Sequence, residues 1–247
     1  MNWDSIKFRA SSWGNLLTEP QEKAARERGE LSKTCQAELF KIYNMEVFGR
    51  KKDITTRQME KGIIAEPDSI TLLCRLDKKL YEKNEKRYEN EWFCGHPDIV
   101  TEDECLDIKT SWELDSFTPK LMQSLDKAYE AQLNCYFSLT QTNSGAIVYC
   151  LVSAPPIILE QEKRKLLWNM PEAATDLNPE YLEAAAELEK LMMFEDIPYE
   201  MRVIKHQVYR NDELIEKMQQ KVPRLREFLA EIHKKHSSFL KKDIILS

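Results

Sequence analysis

Apolar and polar residues follow two periods along the chain, one typical of helices and one typical of strands. Helical spacing predicts helices over residues 31–48 and 123–141, and a third within 53–76 that runs through "QMEKGIIAE". In this third segment Pro67 falls in a first helical turn or at a kink. The stretch that ends in "FCGHPDIV" predicts a strand, and "ECLDIKTSW", residues 104–112, predicts another.

The second half of the chain continues this alternation. An apolar strand over 144–155 is stopped by two prolines. After an acidic helical segment, a strand over 197–210 precedes an amphipathic helix over 211–240, which Pro223 breaks or kinks. The pattern predicts one α/β (α+β) domain over residues 1–247, with a mixed sheet flanked by helices. Its expected parts are a core at about 7–155, an acidic helical insertion at about 160–196, and a C-terminal strand and helix at about 197–240.

Composition narrows the class of protein. The 247 residues are 42% apolar and 32% charged, as in an ordinary globular protein, and the net charge is −6. This acidity argues against a general nucleic-acid coat. Residues 201–247 nevertheless hold 11 Lys and Arg against 6 Asp and Glu, so the chain can still present a basic edge to DNA. A mixed solvated surface explains the same counts.

The six cysteines are scattered without a C-x-x-C pair, which is weak support for zinc or an iron–sulfur cluster. The first residues have no signal-peptide core, and no apolar run approaches ~18 residues. We therefore expect free thiols, no membrane span and a reducing cytoplasm.

The stretch "GHPDIVTEDECLDIKTSW" carries ionisable residues where strands normally exclude them. Asp98 comes at the end of one predicted strand, and Asp107 and Lys109 share one face of the next. Carboxylates suit Mg²⁺ or Mn²⁺, and a lysine beside them can orient the attacking water or stabilise charge on a phosphate. The alternatives are a turn-capping Asp98 after Pro97 and a solvated cross-strand pair of Asp107 and Lys109.

Two further elements supply polar groups. Glu66 is expected on the helix in "EKGIIAE", within reach of the same cations, and the carbonyl of Ile108 lies beside Asp107. Gln132 and Tyr136 are four residues apart in the following helix and so share a face. Gln132 is expected to contact the phosphate or a water on the metal. An ordinary helix with a surface Gln and a core Tyr explains this pair better when it is taken alone, and the Asp-x-Lys pair before it shifts the balance towards the active site.

Together, Glu66, Asp98, "DIK" at 107–109 and "QLNCY" at 132–136 resemble the PD-(D/E)XK nuclease superfamily, and within it the RecB-like and phage lambda exonuclease (YqaJ-type) branch. The resemblance covers roughly residues 7–150. "AYEAQLNCYFSLT" is similar to the helix after the catalytic strand in phage recombination exonucleases, and "RQMEKGIIAEPDSI" is similar to their Glu-bearing helix. "RASSWGNLLT" is similar to their N-terminal Ser motif, which lies near the DNA phosphate.

The resemblance implies a restriction-endonuclease-like core and a metal-dependent DNA exonuclease that uses two Mg²⁺ or Mn²⁺ ions. The implied catalytic residues are Glu66, Asp98, Asp107, Lys109 and Gln132, and the implied metal ligands are Glu66, Asp98, Asp107 and the Ile108 carbonyl. Such relatives resect duplex ends 5′ to 3′ for an annealing protein, and some form ring-shaped trimers. The chain departs from the pattern where Asp107 replaces the more usual Glu, and no His precedes Glu66.

The N-terminal motif supplies expected DNA contacts. Arg9, Ser11 and Ser12 are expected to contact the DNA backbone or its 5′ end, and Tyr136 is expected to face the same site. A helix N-cap at Ser11 or Ser12 is the alternative.

Three aromatic side chains leave two interpretations open. His96 belongs either to the metal site or to phosphate binding and structure, and Trp13 and Trp112 either stack on a base or pack in the core. Two other functions also remain open at this point. One is a structure-specific or restriction-type endonuclease on the same fold, and the other is a DNA-binding module without catalysis.

Overall fold

The computed structural model describes residues 2–50, 56–170 and 178–243, and two mixed sheets organise them. The strands are β1 (Phe8–Arg9), β2 (Tyr88–Glu89), β3 (Phe93–Gly95), β4 (Ile99–Val100), β5 (Glu104–Thr110), β6 (Ser144–Cys150) and β7 (Val203–Tyr209). The central sheet has the order β4-β5-β6-β7, and a smaller sheet has the order β1-β3-β2. β5 is parallel to β6 and β1 is parallel to β3, whereas the other neighbours are antiparallel.

Helices cover the sheets and fill the connections between strands. They are α1 (Trp13–Leu16), α2 (Lys23–Glu27), α3 (Lys33–Phe48), α4 (Arg57–Ile64), α5 (Glu66–Asp77), α6 (Leu114–Phe117), α7 (Lys127–Thr140), α8 (Pro156–Trp168), α9 (Pro179–Met192) and α10 (Asp212–Asp243). Short 3₁₀ turns occupy Trp3–Ser5, Ala10–Ser12, Thr118–Leu121 and Tyr199–Met201. The predicted α/β class with a mixed sheet flanked by helices is confirmed.

The two faces of the central sheet pack against different helices. On β6, Ile147 and Tyr149 belong to a core that also contains α7 residues such as Phe137. Ala146 and Val148 point the other way, into a second core that includes residues of α5. On β5, alternation places Leu106 and Ile108 in this second core, so Asp107 and Lys109 project towards α7. The ionisable face of β5 is therefore the face that α7 covers.

Several predicted boundaries differ from the structure. The helix expected through "QMEKGIIAE" ends at Ile64, and a new helix begins at Glu66 with Pro67 in its first turn. Pro67 has no N–H to donate, so a first turn accommodates it and a helix interior does not. The strand expected through "FCGHPDIV" is divided, and the chain from His96 to Asp98 lies between β3 and β4. Asp98 therefore precedes a strand, and the prediction that it ends one is wrong.

Later boundaries also shift. β6 stops at Cys150, and β7 covers only Val203–Tyr209 of the expected strand. α10 continues through Pro223 to Asp243, so the first residues of "KKDIILS" extend the helix. Residues 244–247 lie outside the described residues, as do residues 171–177 of the expected acidic insertion and residues 53–55 at the start of the segment 53–76. No helix within the described ranges is long and apolar enough to cross a membrane.

All six cysteines are free, as expected, and five of them are buried. They lie in the apolar interior, where burial raises the pKa of thiols such as Cys150, to about 12. They are therefore packing residues in this fold.

Candidate active site

Asp98 and Asp107 lie on neighbouring segments of the central sheet. β4 and β5 pair antiparallel with Ile99 opposite Leu106, so the same register continued by one residue sets Asp98 opposite Asp107. The backbone N–H of Ile108 donates a 2.6 Å hydrogen bond to Asp98 Oδ2. This bond holds the Asp98 carboxyl against β5, although Asp98 itself belongs to no strand.

Asp107 is enclosed between two polar side chains. It is 2% exposed, and Gln132 Nε2 of α7 donates a 2.8 Å hydrogen bond to its Oδ1. The ammonium of Lys109, two residues along β5, forms an ion pair with its Oδ2. The structure thus brings together Asp107, Lys109 and Gln132, while their catalytic roles stay predictions.

Tyr136 supports Gln132 from behind. Gln132 Nε2 lies 3.1 Å from the Tyr136 hydroxyl, and that hydroxyl lies 3.5 Å from the His96 carbonyl oxygen, which it faces as a donor. Tyr136 is only 5% exposed, so the structure places it in the core beneath the site. The His96 side chain is exposed, and only its backbone takes part in this chain of contacts. A DNA contact by Tyr136 and a metal role for His96 remain predictions of the sequence.

Glu66 reaches the site from the first residue of α5. Its Oε1 lies 3.0 Å from the ammonium of Lys83, in the loop before β2. The negative charge of Glu66 contributes to raising the pKa of both Asp98 and Asp107. The three carboxyl groups therefore act on one another electrostatically, although they come from three separate segments of the chain.

Burial and mutual repulsion control the charges of the site. Burial raises the pKa of the Asp98 carboxyl to about 7, and the charge of Asp107 adds to the rise. Burial likewise raises the pKa of Asp107, against the opposing effect of Lys109. For Lys109, burial favours the neutral amine, but Asp107 outweighs it and raises the pKa of the ammonium. Two carboxyls that resist ionising together, next to a charged lysine, are suited to receiving a cation.

The donor atoms fit a hard divalent cation. Glu66 Oε1 and Asp107 Oδ2 are buried and accept no hydrogen bond within the described part of the chain, although a lysine ammonium lies within ion-pair distance of each. Such oxygens are the ligands that Mg²⁺ and Mn²⁺ prefer. In residues 2–50, 56–170 and 178–243, no three Asp, Glu, His or Cys side chains form a ready metal cluster. Lys83 and Lys109 supply the positive charge at these oxygens instead.

The N-terminal motif packs beside this site. A Cβ placed on Gly95 would lie 2.5 Å from the Tyr136 ring and 3.2 Å from Ala10 Cβ, so the turn at Ala10–Ser12 lies close to α7. Arg9 and Ser11 are exposed next to it. Ser12 is 8% exposed, and its Oγ donates a 2.9 Å hydrogen bond to Glu38 Oε1. Ser12 precedes α1 without capping it by a side-chain bond, so the N-cap alternative fails for this residue.

Sequence reasoning missed two neighbours of the site. Tyr129 places its ring 5.1 Å from the Lys109 ammonium. It is three residues before Gln132 on α7, so helical spacing contained a signal for it. Lys83 lies in an irregular loop, where no periodic pattern points to Glu66. Trp13 is fully buried and packs edge-on against Phe93, which supports the core interpretation of that residue.

Trp112 has a packing role as well. It lies just beyond β5, partly buried, and the ammonium of Lys61 is 5.9 Å from its ring. Lys61 itself is fully buried and was not predicted to have a role.

The structure thus has a carboxyl before one edge strand, an Asp-x-Lys pair on the next strand and a covering helix with a Gln directed at the Asp, which is the arrangement that the resemblance implied. Neither a protein-family model nor a curated protein sequence matches the chain.

Solved structures do match. A phage-related exonuclease from Haemophilus somnus 129PT has a TM-score of 0.75 at 22% identity, over 94% of this chain and 97% of that one. The alkaline exonuclease LHK-Exo from Laribacter hongkongensis has a TM-score of 0.62 at 13% identity, over 99% and 98% of the two chains. The same exonuclease in complex with dAMP has a TM-score of 0.61 at 14% identity, over 98% of this chain and 95% of that one. The chain has the fold of these exonucleases, which confirms at the level of the fold the resemblance that its motifs indicated.

Proposed function

We propose that the protein is a metal-dependent DNA exonuclease that degrades linear duplex DNA from its 5′ ends during phage-type recombination. One observation carries the proposal: Asp107 lies between Lys109 and Gln132 and opposite Asp98. Two paired carboxyls and a lysine, with Glu66 close enough to raise the pKa of both carboxyls, match the requirements of phosphodiester hydrolysis. The three solved structures described above are exonucleases, which supports the exonuclease over the endonuclease.

In this proposal the cations are Mg²⁺ or Mn²⁺, two in number, held by Glu66, Asp98, Asp107 and the Ile108 carbonyl. Bound at these oxygens, the ions would neutralise charge on the phosphate and make water a stronger nucleophile. The other roles in the reaction belong to Lys109 of β5 and to Gln132 and Tyr136 of α7.

Asp107 holds Lys109 in the charged form, and a cation held by Asp107 would leave the Lys109 ammonium to the phosphate. There it stabilises the negative charge that develops as the bond to the leaving oxygen breaks. Gln132 keeps Asp107 in one rotamer through Oδ1, leaving Oδ2 for the cation, and Tyr136 in turn keeps Gln132 in place.

We infer that Arg9 and Ser11, which are exposed, bind the DNA backbone near its 5′ end, and that Ser12 joins them when it exchanges Glu38 for a phosphate oxygen. The alkaline exonuclease of similar fold has been solved with dAMP, and we extend nucleotide binding to this chain.

By resemblance we also propose a ring-shaped trimer, which would compensate for the acidic net charge by enclosing DNA, and a single-strand annealing protein as its partner. The expected setting is the cytoplasm of a bacterium or of a phage-infected host cell.

The test is digestion of linear duplex DNA labelled separately at its 5′ and 3′ ends, with a closed circular duplex alongside. Reactions contain Mg²⁺ or EDTA, with wild type, Lys109→Ala, or the matched control Lys23→Ala on an exposed lysine of α2. We expect release of the 5′ label from the linear DNA only, with Mg²⁺ only, retained in Lys23→Ala and reduced by about 100-fold or more in Lys109→Ala.

Other results distinguish the alternatives. Cutting of the circle would indicate the endonuclease, and first release of the 3′ label would reverse the polarity. DNA binding without cleavage in any metal would indicate a binding module. Equal activity of Lys109→Ala and wild type would contradict the assigned site.

A further inference from the structure

An open pocket of about 450 Å³ lies next to the candidate active site, and no role has been assigned to it so far. Its lining includes Lys120 from the 3₁₀ turn after α6, Asp126 and Tyr129 at the start of α7, Tyr149 of β6 and His206 of β7. We call it the tyrosine pocket. Its volume lies within the range of pockets that bind small molecules, about 300–1,000 Å³.

Tyr129 forms the boundary between the pocket and Lys109. Its ring lies 5.1 Å from the Lys109 ammonium and 6.5 Å, centroid to centroid, from the ring of Tyr149. Tyr149 is the residue of β6 that pairs with Lys109 of β5, so both side chains project towards α7 from adjacent strands. A molecule in the pocket therefore lies one side chain away from the lysine that contacts Asp107.

Three of the residues that line the pocket carry rings, namely Tyr129, Tyr149 and His206. The rings of Tyr129 and Tyr149 meet at 69°, and those of Tyr149 and His206 meet at 73° with centroids 5.4 Å apart. Because these rings are steeply inclined to each other, a planar guest can lie flat on one and meet the edge of the next. His206 is fixed in this position by a 2.8 Å contact between its Nε2 and the Lys120 carbonyl oxygen.

Polar groups complete the pocket. The Lys120 ammonium lies 5.4 Å from the Tyr149 ring and donates to the exposed Gln123 at 2.9 Å. Asp126 caps α7 through a 2.8 Å bond from Ala128, and its negative charge would repel a phosphate placed at that end. The Tyr149 hydroxyl has no hydrogen-bond partner among the described residues, and burial raises its pKa to about 12, so it remains a donor.

From these contacts we propose that the tyrosine pocket binds the nucleobase of the terminal nucleotide of the strand being cleaved, and holds it until the nucleoside monophosphate leaves. The rings of Tyr129 and His206, which are only partly buried, take the base by stacking, and the ammonium of Lys120 takes the phosphate of that nucleotide, while Lys109 stays at the bond that is cleaved. Because every base has a π face, such a pocket accepts any base, as a processive exonuclease requires. This inference rests on the proposed function, and it adds the residues that recognise the nucleotide.

The first test is binding of dAMP and of deoxyribose 5-phosphate, which lacks the base, by equilibrium dialysis in EDTA. Stacking of a base on an aromatic side chain is worth about five-fold or more in affinity. We expect wild type to prefer dAMP by at least that factor and Tyr129→Leu to lose the preference. The matched control is Tyr209→Leu, because Tyr209 is 71% exposed and alternation places it on the opposite face of β7 from His206. A second variant, His206→Ala, guards against local damage, and circular dichroism checks folding.

The second test uses linear duplexes whose terminal nucleotide is either normal or abasic, with Mg²⁺. Wild type is expected to cleave the normal end about five-fold or more faster, and Tyr129→Leu to cleave both ends at similar rates. Cleavage of both ends at one rate by wild type would refute the pocket and leave the nuclease intact. A preference for the base that persists in both variants would locate base recognition elsewhere. An absence of cleavage combined with selective dAMP binding would refute the nuclease and leave the pocket.

Discussion

Lys61 offers a sharp test of the packing around the site. It is fully buried in α4, and its ammonium donates to the carbonyl oxygens of Ser111 at 2.9 Å and Trp112 at 3.0 Å. No carboxylate lies within ion-pair distance in the described residues, and the ring of Phe194, 5.3 Å away, provides a second aromatic face. Lys61 thereby ties the helix before Glu66 to the segment that follows Lys109.

The size of the effect of Lys61 on stability follows from the pKa of its ammonium. Burial lowers the pKa of Lys61 from 10.5 to about 8, with Glu113 opposing weakly. Between these values the unfolded chain binds the proton more tightly than the folded chain, so stability rises as pH increases from about 8 to about 10.5. The rise corresponds to about 3 kcal/mol in the free energy of unfolding. In Lys61→Met the rise is absent, because no group titrates at that position.

At neutral pH two effects of Lys61→Met oppose each other. The variant no longer buries a charge, which favours it by about 3 kcal/mol. It also leaves the buried carbonyl of Ser111 and the partly buried carbonyl of Trp112 without a donor, at about 1–3 kcal/mol each. The net change near pH 7 therefore ranges from about 1 kcal/mol of stabilisation to about 3 kcal/mol of destabilisation, and the informative quantity is the difference between wild type and variant as a function of pH.

The assay is urea denaturation of both proteins from about pH 7 to about pH 10.5. Other titrating groups are common to both and cancel in the difference. We expect the free energy of unfolding of wild type to rise by about 3 kcal/mol relative to that of Lys61→Met across this range. For Lys23→Met, at an exposed lysine, we expect the difference from wild type to stay the same at every pH. A flat difference for Lys61→Met would refute the reasoning, because it would show that the two carbonyls fully offset the burial.

Three further predictions concern the sheet and the site. Gly145→Ala should lower the free energy of unfolding, measured by urea denaturation, by about 3 kcal/mol or more, because the added Cβ would lie 1.9 Å from a carbonyl oxygen of β5. Gly62→Ala has open space and should stabilise α4 by up to about 1 kcal/mol. Equal effects of the two substitutions would contradict the packing. Lys83→Met should raise Mg²⁺ affinity by up to about five-fold in calorimetric titration, since it frees Glu66 from a partly exposed ion pair, and unchanged affinity would place Glu66 outside the metal site. Without divalent cations, Asp98 should destabilise the protein as pH rises from 3.8 to about 7, because the folded state holds the proton more tightly than the unfolded state. The loss in the free energy of unfolding is at most about 4 kcal/mol. Asp98→Asn should abolish this loss when urea denaturation at about pH 4 is compared with that at about pH 8. An unchanged pH dependence in the variant would show that Asp98 titrates normally.

Periodicity alone predicted the elements whose apolar residues recur at a regular spacing. The helix predicted over 123–141 and the strand predicted over 104–112 differ from α7 and β5 by only a few residues at each end. Their internal spacing also placed Asp107 with Lys109 and Gln132 with Tyr136, since a strand or helix determines its own faces. The resemblance drawn from these residues was correct at the level of fold.

Boundaries were less predictable where one residue ends an element. The position of Pro67 left two interpretations open, and the structure selects a first turn that makes Glu66 the start of α5. In "GHPD" the proline and its neighbours interrupt the sheet, yet Asp98 still reaches β5 through the N–H of Ile108. Pairing between strands, and not alternation within one strand, positions this carboxyl.

The sequence by itself determined the main helices and strands of the site and which residue types could hold a cation, because these depend on neighbours within one or two turns. Only the tertiary structure decided that Lys83 pairs with Glu66, that Ser12 bonds to Glu38, 26 residues away, and that Lys61 reaches the end of β5 across 50 residues. These contacts join segments that have no common period. Their geometry depends on how helices pack against the sheet, which the local pattern of the chain does not encode.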